Sequence, residues 1–157
     1  MKHIIFTVGF FLVLITAKAQ DFRNANWGDS PEEVFKKETL ALVNKTTNNK
    51  IMHLNFVQFT ESDVYLTYSY MFYNNQLIGV KTKTAYLTKD NSRYNVEQLY
   101  NQTYRSYQEK YQNLNEEKEN NVSKFNIVLK DKKIYVEMKG EANEYFLVES
   151  IMKSKKG

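Results

Sequence analysis

The stretch VYLTYSYMFYNNQLIGVKTKTAYL, residues 64–87, decides the fold, because apolar and polar side chains alternate on both sides of Asn74-Asn75. Two alternating runs joined by a short polar pair are typical of a β-hairpin. A three-residue turn would place Phe72 opposite Ile78 and collect the apolar side chains on one face, whereas a two-residue turn would mix polarity. Since a slip of one residue moves every side chain to the other face, the pattern predicts the odd-length turn.

In that register the second face of the hairpin is suited to binding. It carries Tyr65, Met71, Tyr73, Lys81 and Lys83, together with Thr67 and Leu77. Tyrosine, methionine and a polar rim suit protein contacts, and phenol rings with lysines also suit glycans. The alternative is that another part of the chain covers this face, or that it is the ordinary apolar share of a protein surface.

Two helices are predicted around the hairpin. Ser30-Pro31-Glu32-Glu33 supplies an N-cap, a proline at the first helical position and a capping box, for a short helix ending near 38. A second helix is predicted from 93 to about 114, with one stripe that we expect to pack on the sheet. That stripe consists of Val96, Tyr100, Tyr104, Tyr107 and Tyr111.

Further strands are predicted at 51–59, 125–129, 134–138 and 145–152. A two-residue turn would join 125–129 to 134–138. The strand 145–152 is apolar on both faces, so we expect it to lie in the centre of the sheet. The polar runs 44–50 and 116–121 predict loops. The sequence therefore predicts an α+β fold, an antiparallel sheet with two helices on one face in the order helix-βββ-helix-βββ.

The first residues have the pattern of a cleaved signal peptide at 1–19. A basic start precedes the almost wholly apolar run 4–15, and Ala17-Lys18-Ala19 supplies the small residues of a cleavage site. An uncleaved anchor or a buried strand is the alternative, but the run is short of the roughly 20 residues that span a bilayer. A single domain over 20–152 and a flexible basic tail over 153–157 would follow. We expect an exported protein, periplasmic or extracellular, with no membrane anchor after cleavage.

The amino-acid composition excludes several classes of functional site. The chain has no cysteine, which excludes disulfides, zinc fingers and thiol catalysis, and only two histidines, so no metal site or cofactor is expected. Loss of Lys2 and Lys18 with the signal lowers the net charge from +4 to +2, which argues against nucleic-acid binding. Among the acidic residues, Glu149 and Glu137 interrupt apolar strands and are the candidates for acid catalysis.

The segment Trp27-Gly28-Asp29-Ser30-Pro31-Glu32-Glu33-Val34, between Phe22 and Glu38, resembles the start of small secreted proteins of Gram-negative bacteria, especially Bacteroidota, which begin "W-G-x-S-x-E-E-V". It is more distantly similar to small α+β modules of the outer-membrane assembly lipoprotein and β-lactamase inhibitor type. In those modules a helix beginning "G-x-S-x-x-x-V" precedes an antiparallel sheet. This chain lacks their lipobox or disulfide cysteines and their glycine-proline after the helix.

These observations favour a non-catalytic, exported binding module that recognises an envelope or extracellular protein or glycan. The alternative is a small carboxylate-dependent hydrolase of the cell envelope that uses Glu149 or Glu137. Self-association through an edge strand is a third, weaker hypothesis.

Overall fold

The computed structural model describes residues 22–60, 63–87, 92–112, 114–119, 122–141 and 144–154, so the predicted signal peptide lies outside the described residues. The described chain forms two helices and eight strands. They are α1 (Pro31–Lys37), β1 (Ala41–Asn48), β2 (Ile51–Phe59), β3 (Val64–Tyr73), β4 (Gln76–Tyr86), α2 (Ser92–Lys110), β5 (Asn115–Glu119), β6 (Val122–Val128), β7 (Lys132–Glu141) and β8 (Glu144–Lys153).

All eight strands form one antiparallel sheet in the order β1-β2-β3-β4-β8-β7-β6-β5. Each half is a helix followed by a four-stranded meander, and the halves join where β4 pairs with β8. The α+β class is confirmed, and so is the central position of β8. The predicted order was wrong, because β1 and β5 occupy the two segments that were predicted mainly as loops. Both are edge strands, and the polar side chains of an edge strand carry no burial signal.

The hairpin of β3 and β4 has the predicted register over most of its length, with Leu66 opposite Thr84. The cause differs from the prediction. Asn74 and Asn75 form a two-residue turn with φ of 48° and 62°, and a β-bulge then restores the odd register, so that Phe72 faces Leu77. Leu77 consequently points into the core, where it is 1% exposed, and the prediction that it lies on the binding face was wrong.

The N-terminal segment fixes the bulged end of β4. The backbone N–H of Leu77 donates to the carbonyl of Asp29 at 2.8 Å, and its carbonyl accepts from Gly28 N at 3.1 Å. Gly28 has a φ of 92°, a left-handed conformation that favours glycine. A capping box then starts α1, because the Ser30 side chain accepts from Glu33 N and the Glu33 side chain accepts from Ser30 N. The Trp27–Val34 motif therefore has a structural role, because its residues hold the bulged end of β4 and begin α1.

One face of the sheet, the inner face, holds the core. A row of directly paired residues crosses six strands on it: Leu54, Tyr70, Val80, Ile151, Ile134 and Ile127. Val34 of α1 packs into the cluster over the first half, and Val96 and Tyr100 of α2 pack into the cluster over the second. The predicted tyrosine stripe is confirmed as part of this packing.

The helices cover the inner face unequally. α2 lies against β8, β4 and β7. α1 has seven residues and is about 10 Å long at 1.5 Å per residue, too short to cross a four-stranded half whose strands lie ~4.8 Å apart. Its Phe35 ring lies 6.5 Å from that of Phe56, at the β1–β2 side. The expectation of two helices on one face is therefore met only in part.

The hairpin of β6 and β7 keeps its predicted faces but not its turn. Ile127 faces Ile134 and Phe125 faces Val136, with three residues between the strands. Because this differs from the predicted pairing by two residues, the apolar side chains stay on the inner face.

Candidate functional site

The five predicted binding residues, Tyr65, Met71, Tyr73, Lys81 and Lys83, all lie on the face opposite the core, which we call the outer face. They do not form one cluster. Tyr65 and Tyr73 stand at opposite ends of β3, eight residues or about 26 Å apart at ~3.3 Å per residue. Tyr65 and Lys83 belong to one end, Met71 and Tyr73 to the other, and exposed Lys81 lies between them. The predicted binding residues therefore fall into two groups at opposite ends of the hairpin.

The first end contains what we call the aromatic pocket. Its volume is about 260 Å³, and its lining residues are Phe59, Tyr65, Lys83, Ala85, Tyr86, Leu87, Ser92 and Glu144. Phe59 faces Tyr65 across β2 and β3, with ring centroids 5.2 Å apart and tilted by 50°. Phe59 is 65% exposed and Leu87 57% exposed. The pocket is below the ≈ 300–1,000 Å³ of drug-sized ligand sites, so its size suits one side chain or one sugar ring.

A fixed positive charge borders this pocket. The Lys83 ammonium lies 3.9 Å from the centre of the Phe146 ring, and the Lys139 ammonium lies 5.4 Å from it. Phe146 is only 3% exposed although it points to the outer face. The two lysine stems cover the ring, and the quadrupole of the ring holds the cations above it. Together with the carboxylate of Glu144, Lys83 gives the pocket one charge of each sign.

The second end is a methionine cluster. Met71 of β3 faces Gly79 of β4, and Gly79 faces Met152 of β8. A methyl group on Gly79 would lie 2.2 Å from Met152 Sδ and 2.8 Å from Met71 Cε, so the two methionine side chains meet directly above the glycine. On the other side, Met71 faces His53 of β2, whose Nδ1 is 3.3 Å from Ser69 Oγ.

Glu38, which no sequence pattern singles out, is the most heavily bonded carboxylate of the described chain. Its side chain is 2% exposed and forms a paired interaction with the Arg23 guanidinium, at 3.2 Å for both nitrogens. It also accepts from Tyr70 Oη at 2.5 Å and from the backbone N–H groups of Thr39 and Leu40. Glu38 ends α1, and nothing in the periodicity distinguishes it from the exposed glutamates of the same helix.

Burial alone would raise the pKa of the Glu38 carboxyl, but the hydrogen bond from Tyr70 and the charge of Arg23 lower it below its usual range. Burial and the neighbouring carboxylate raise the pKa of Tyr70 far above its ordinary value. Arg23 also lies 4.6 Å from the centre of the Tyr68 ring. The network fastens the N-terminal segment to β3 and is a structural feature.

The two candidate acids lie on opposite faces of the sheet. Glu149 faces Val136 on the inner face, and Glu137 faces Val148 on the outer face. Glu149 borders an open groove of about 420 Å³ beside α2 and accepts a hydrogen bond from Tyr107. Burial, followed by the Glu149 charge, raises the pKa of Tyr107, so the phenol stays protonated as the donor. Among the described residues that line this groove, Glu149 is the carboxylate, and Glu137 lies on the other face of the sheet.

Within the ranges that the structure describes, no three His, Cys, Asp or Glu side chains are grouped so that they could hold a metal ion. No helix among the described residues is long and apolar enough to cross a membrane. Comparison with protein-family models, curated proteins and solved structures finds no match.

Proposed function

We propose that the chain is an exported, non-catalytic binding module that recognises a protein partner through the aromatic pocket. The observation that carries the proposal is the exposure of Phe59 and Leu87 beside Tyr65 and Lys83. Two large apolar side chains that are more than half exposed, around a cavity the size of one side chain, are typical of an anchor site. The partner acts in the periplasm or outside the cell.

The composition of the pocket favours a protein over a glycan. Its wall is formed by Phe59, Leu87, Ala85 and the ring of Tyr65, and an aliphatic or aromatic anchor would bury apolar surface against all of them. Lys83 and Glu144 stand where backbone carbonyl and N–H groups of the partner would find a donor and an acceptor. An apolar centre with a polar rim is the usual anatomy of a protein interface.

The test is selection of a displayed peptide library and, in parallel, a glycan array against the purified chain. We expect peptides with an aromatic or aliphatic anchor, whose affinity falls at least tenfold, about 1.4 kcal/mol, in Phe59→Ala/Leu87→Ala. The matched control is Val128→Ala, because Val128 is 69% exposed on the same face but far from the pocket. This variant should bind like the original chain.

Two results would contradict the proposal. Glycan binding that is lost in the double variant would identify a glycan as the ligand class. Peptides that bind equally well to the double variant would show that the pocket is not the binding site.

A further inference from the structure

We propose that His53, Met71 and Met152 form a binding site for monovalent copper, Cu(I), at the methionine end of the outer face. The site is distinct from the aromatic pocket, so it stands independently of the proposed partner binding. Its three ligands come from three strands, β2, β3 and β8, which the sheet brings together around Gly79 of β4.

Gly79 is what allows the two methionine side chains to meet. Strands β3 and β8 are not neighbours, since β4 lies between them, and their backbones are therefore about 9.6 Å apart at ~4.8 Å per strand. A side chain at position 79 would fill the space between them, because its first carbon would lie 2.2 Å from Met152 Sδ. With glycine there, Met71 and Met152 lean over β4 from both sides, and the methyl end of Met71 meets the Met152 thioether above Gly79.

His53 completes the set. It stands directly opposite Met71, where the side chains of facing residues start about 5 Å apart, and we place its imidazole as the third ligand on that pairing. The Nδ1 atom of His53 lies 3.3 Å from Ser69 Oγ, and its Nε2 atom has no hydrogen-bond partner among the described residues. A histidine whose second nitrogen is held by a neighbouring polar group is the usual arrangement of a metal ligand.

The donor atoms select the metal. Thioethers are soft ligands that favour Cu(I), imidazole also suits copper, and hard cations such as Ca²⁺ and Mg²⁺ require oxygen ligands. The paired rows around the cluster contribute no carboxylate but two exposed lysines, Lys81 and Lys133. Their charges repel a divalent cation more strongly than a monovalent one. In an exported protein, thioethers also avoid the disulfide formation that would consume cysteine ligands.

The test is anaerobic titration of the purified chain with Ag(I), a redox-inert monovalent probe, and with Cu(I) in competition with a chromophoric chelator. We expect one equivalent to bind. In NMR spectra of methyl-labelled methionine, the methyl signals of Met71 and Met152 should shift, whereas those of Met52 and Met138 should not. Met52 and Met138 belong to the inner-face packing and serve as internal controls.

Met71→Leu and Met152→Leu should each weaken the affinity at least tenfold, and Met52→Leu should leave it unchanged. Gly79→Ala supplies a second variant that retains all three ligands: it meets only the flexible ends of two methionines, so the chain still folds, but it separates the sulfurs and should weaken binding. The absence of stoichiometric binding, equal losses in Met52→Leu and Met71→Leu, or shifts of the Met52 signal would each overturn the proposal.

Discussion

Replacing Glu38 by glutamine tests whether the buried network at the end of α1 holds the N-terminal segment on the sheet. The substitution keeps the volume of the side chain but removes its charge and one of the two oxygens that accept hydrogen bonds. Arg23 loses its ionic partner, and the Tyr70 hydroxyl and the backbone N–H groups of Thr39 and Leu40 must share a single oxygen.

The magnitude follows from the burial of each partner. Removing one member of a fully buried ion pair costs about 3–5 kcal/mol. Here only the carboxylate is fully buried, at 2% exposure, whereas the Arg23 side chain is 27% exposed and can be solvated by water. A hydrogen bond to a charged group contributes roughly 1.5–3 kcal/mol. We therefore expect Glu38→Gln to lower the free energy of unfolding by about 2–3 kcal/mol.

The assay is urea unfolding at pH 7, followed by circular dichroism and by Trp27 fluorescence, since Trp27 packs on the same core cluster. Glu32→Gln is the matched control, because Glu32 is an exposed glutamate of the same helix. It should change stability by less than about 0.5 kcal/mol. Equal effects of the two variants would refute the reasoning. A cycle with Tyr70→Phe should give a coupling above ~1 kcal/mol, and additivity would show that the hydrogen bond between Tyr70 and Glu38 contributes little.

Three further predictions concern stability. Folding lowers the pKa of Glu38 and raises that of Tyr70 above 10.0. The free energy of unfolding plotted against pH should therefore have a plateau that declines at both acid and alkaline pH. Stability is lost below about pH 4.5 as the Glu38 carboxyl protonates, and above about pH 10 as Tyr70 ionises in the unfolded chain. Glu38→Gln should reduce the decline at acid pH. An unchanged decline would show that Glu38 is not its cause. Asn75→Val should cost about 1–2 kcal/mol in thermal unfolding, since a β-branched residue does not tolerate the left-handed φ of 62°, while Asn75→Gly should cost nothing. Ser30→Ala should cost about 1 kcal/mol through loss of the N-cap, and a smaller loss in Ser30→Thr would show that the hydroxyl is what matters.

Alternation of apolar residues predicted the paired strands of the core because burial imposes that pattern on the sequence. The bounds of β2 and β3 follow directly from it. The edge strands β1 and β5 could not be recognised in this way. Every residue of β1 is exposed, and β5 is the charged run NEEKE, so only backbone pairing with the neighbouring strand makes them strands. Charged and polar edges of this kind are also what keeps an open sheet from pairing with another chain.

The turn of the hairpin between β3 and β4 shows a second limit on what the sequence pattern can predict. The apolar pattern required an odd register, and both a three-residue turn and a two-residue turn followed by a bulge provide one. The choice depends on contacts distant in sequence, because Gly28 and Asp29 bind the backbone of Leu77 at the bulge. Leu77 was assigned to the wrong face for this reason. The methionine cluster could not be predicted either, since its residues approach one another only through the order of the strands.

The chemistry of the two faces explains why function is sought on the outer one. On the inner face two tyrosines of α2 are already bonded to carboxylates, Tyr107 to Glu149 and Tyr100 to Glu116, so these groups are engaged within the chain. In the middle of the outer face, Phe146 and Val148 are only 3% and 4% exposed, and the stem of Lys83 lies over the Phe146 ring. A partner that docked on the middle of the sheet would have to displace this lysine and its cation–π contact. Phe59 and Leu87 are exposed at one end of the hairpin, and the Met71 and Met152 side chains meet over Gly79 at the other. The two ends are separate, so substitutions at Phe59 and at Met71 should act on separate ligands.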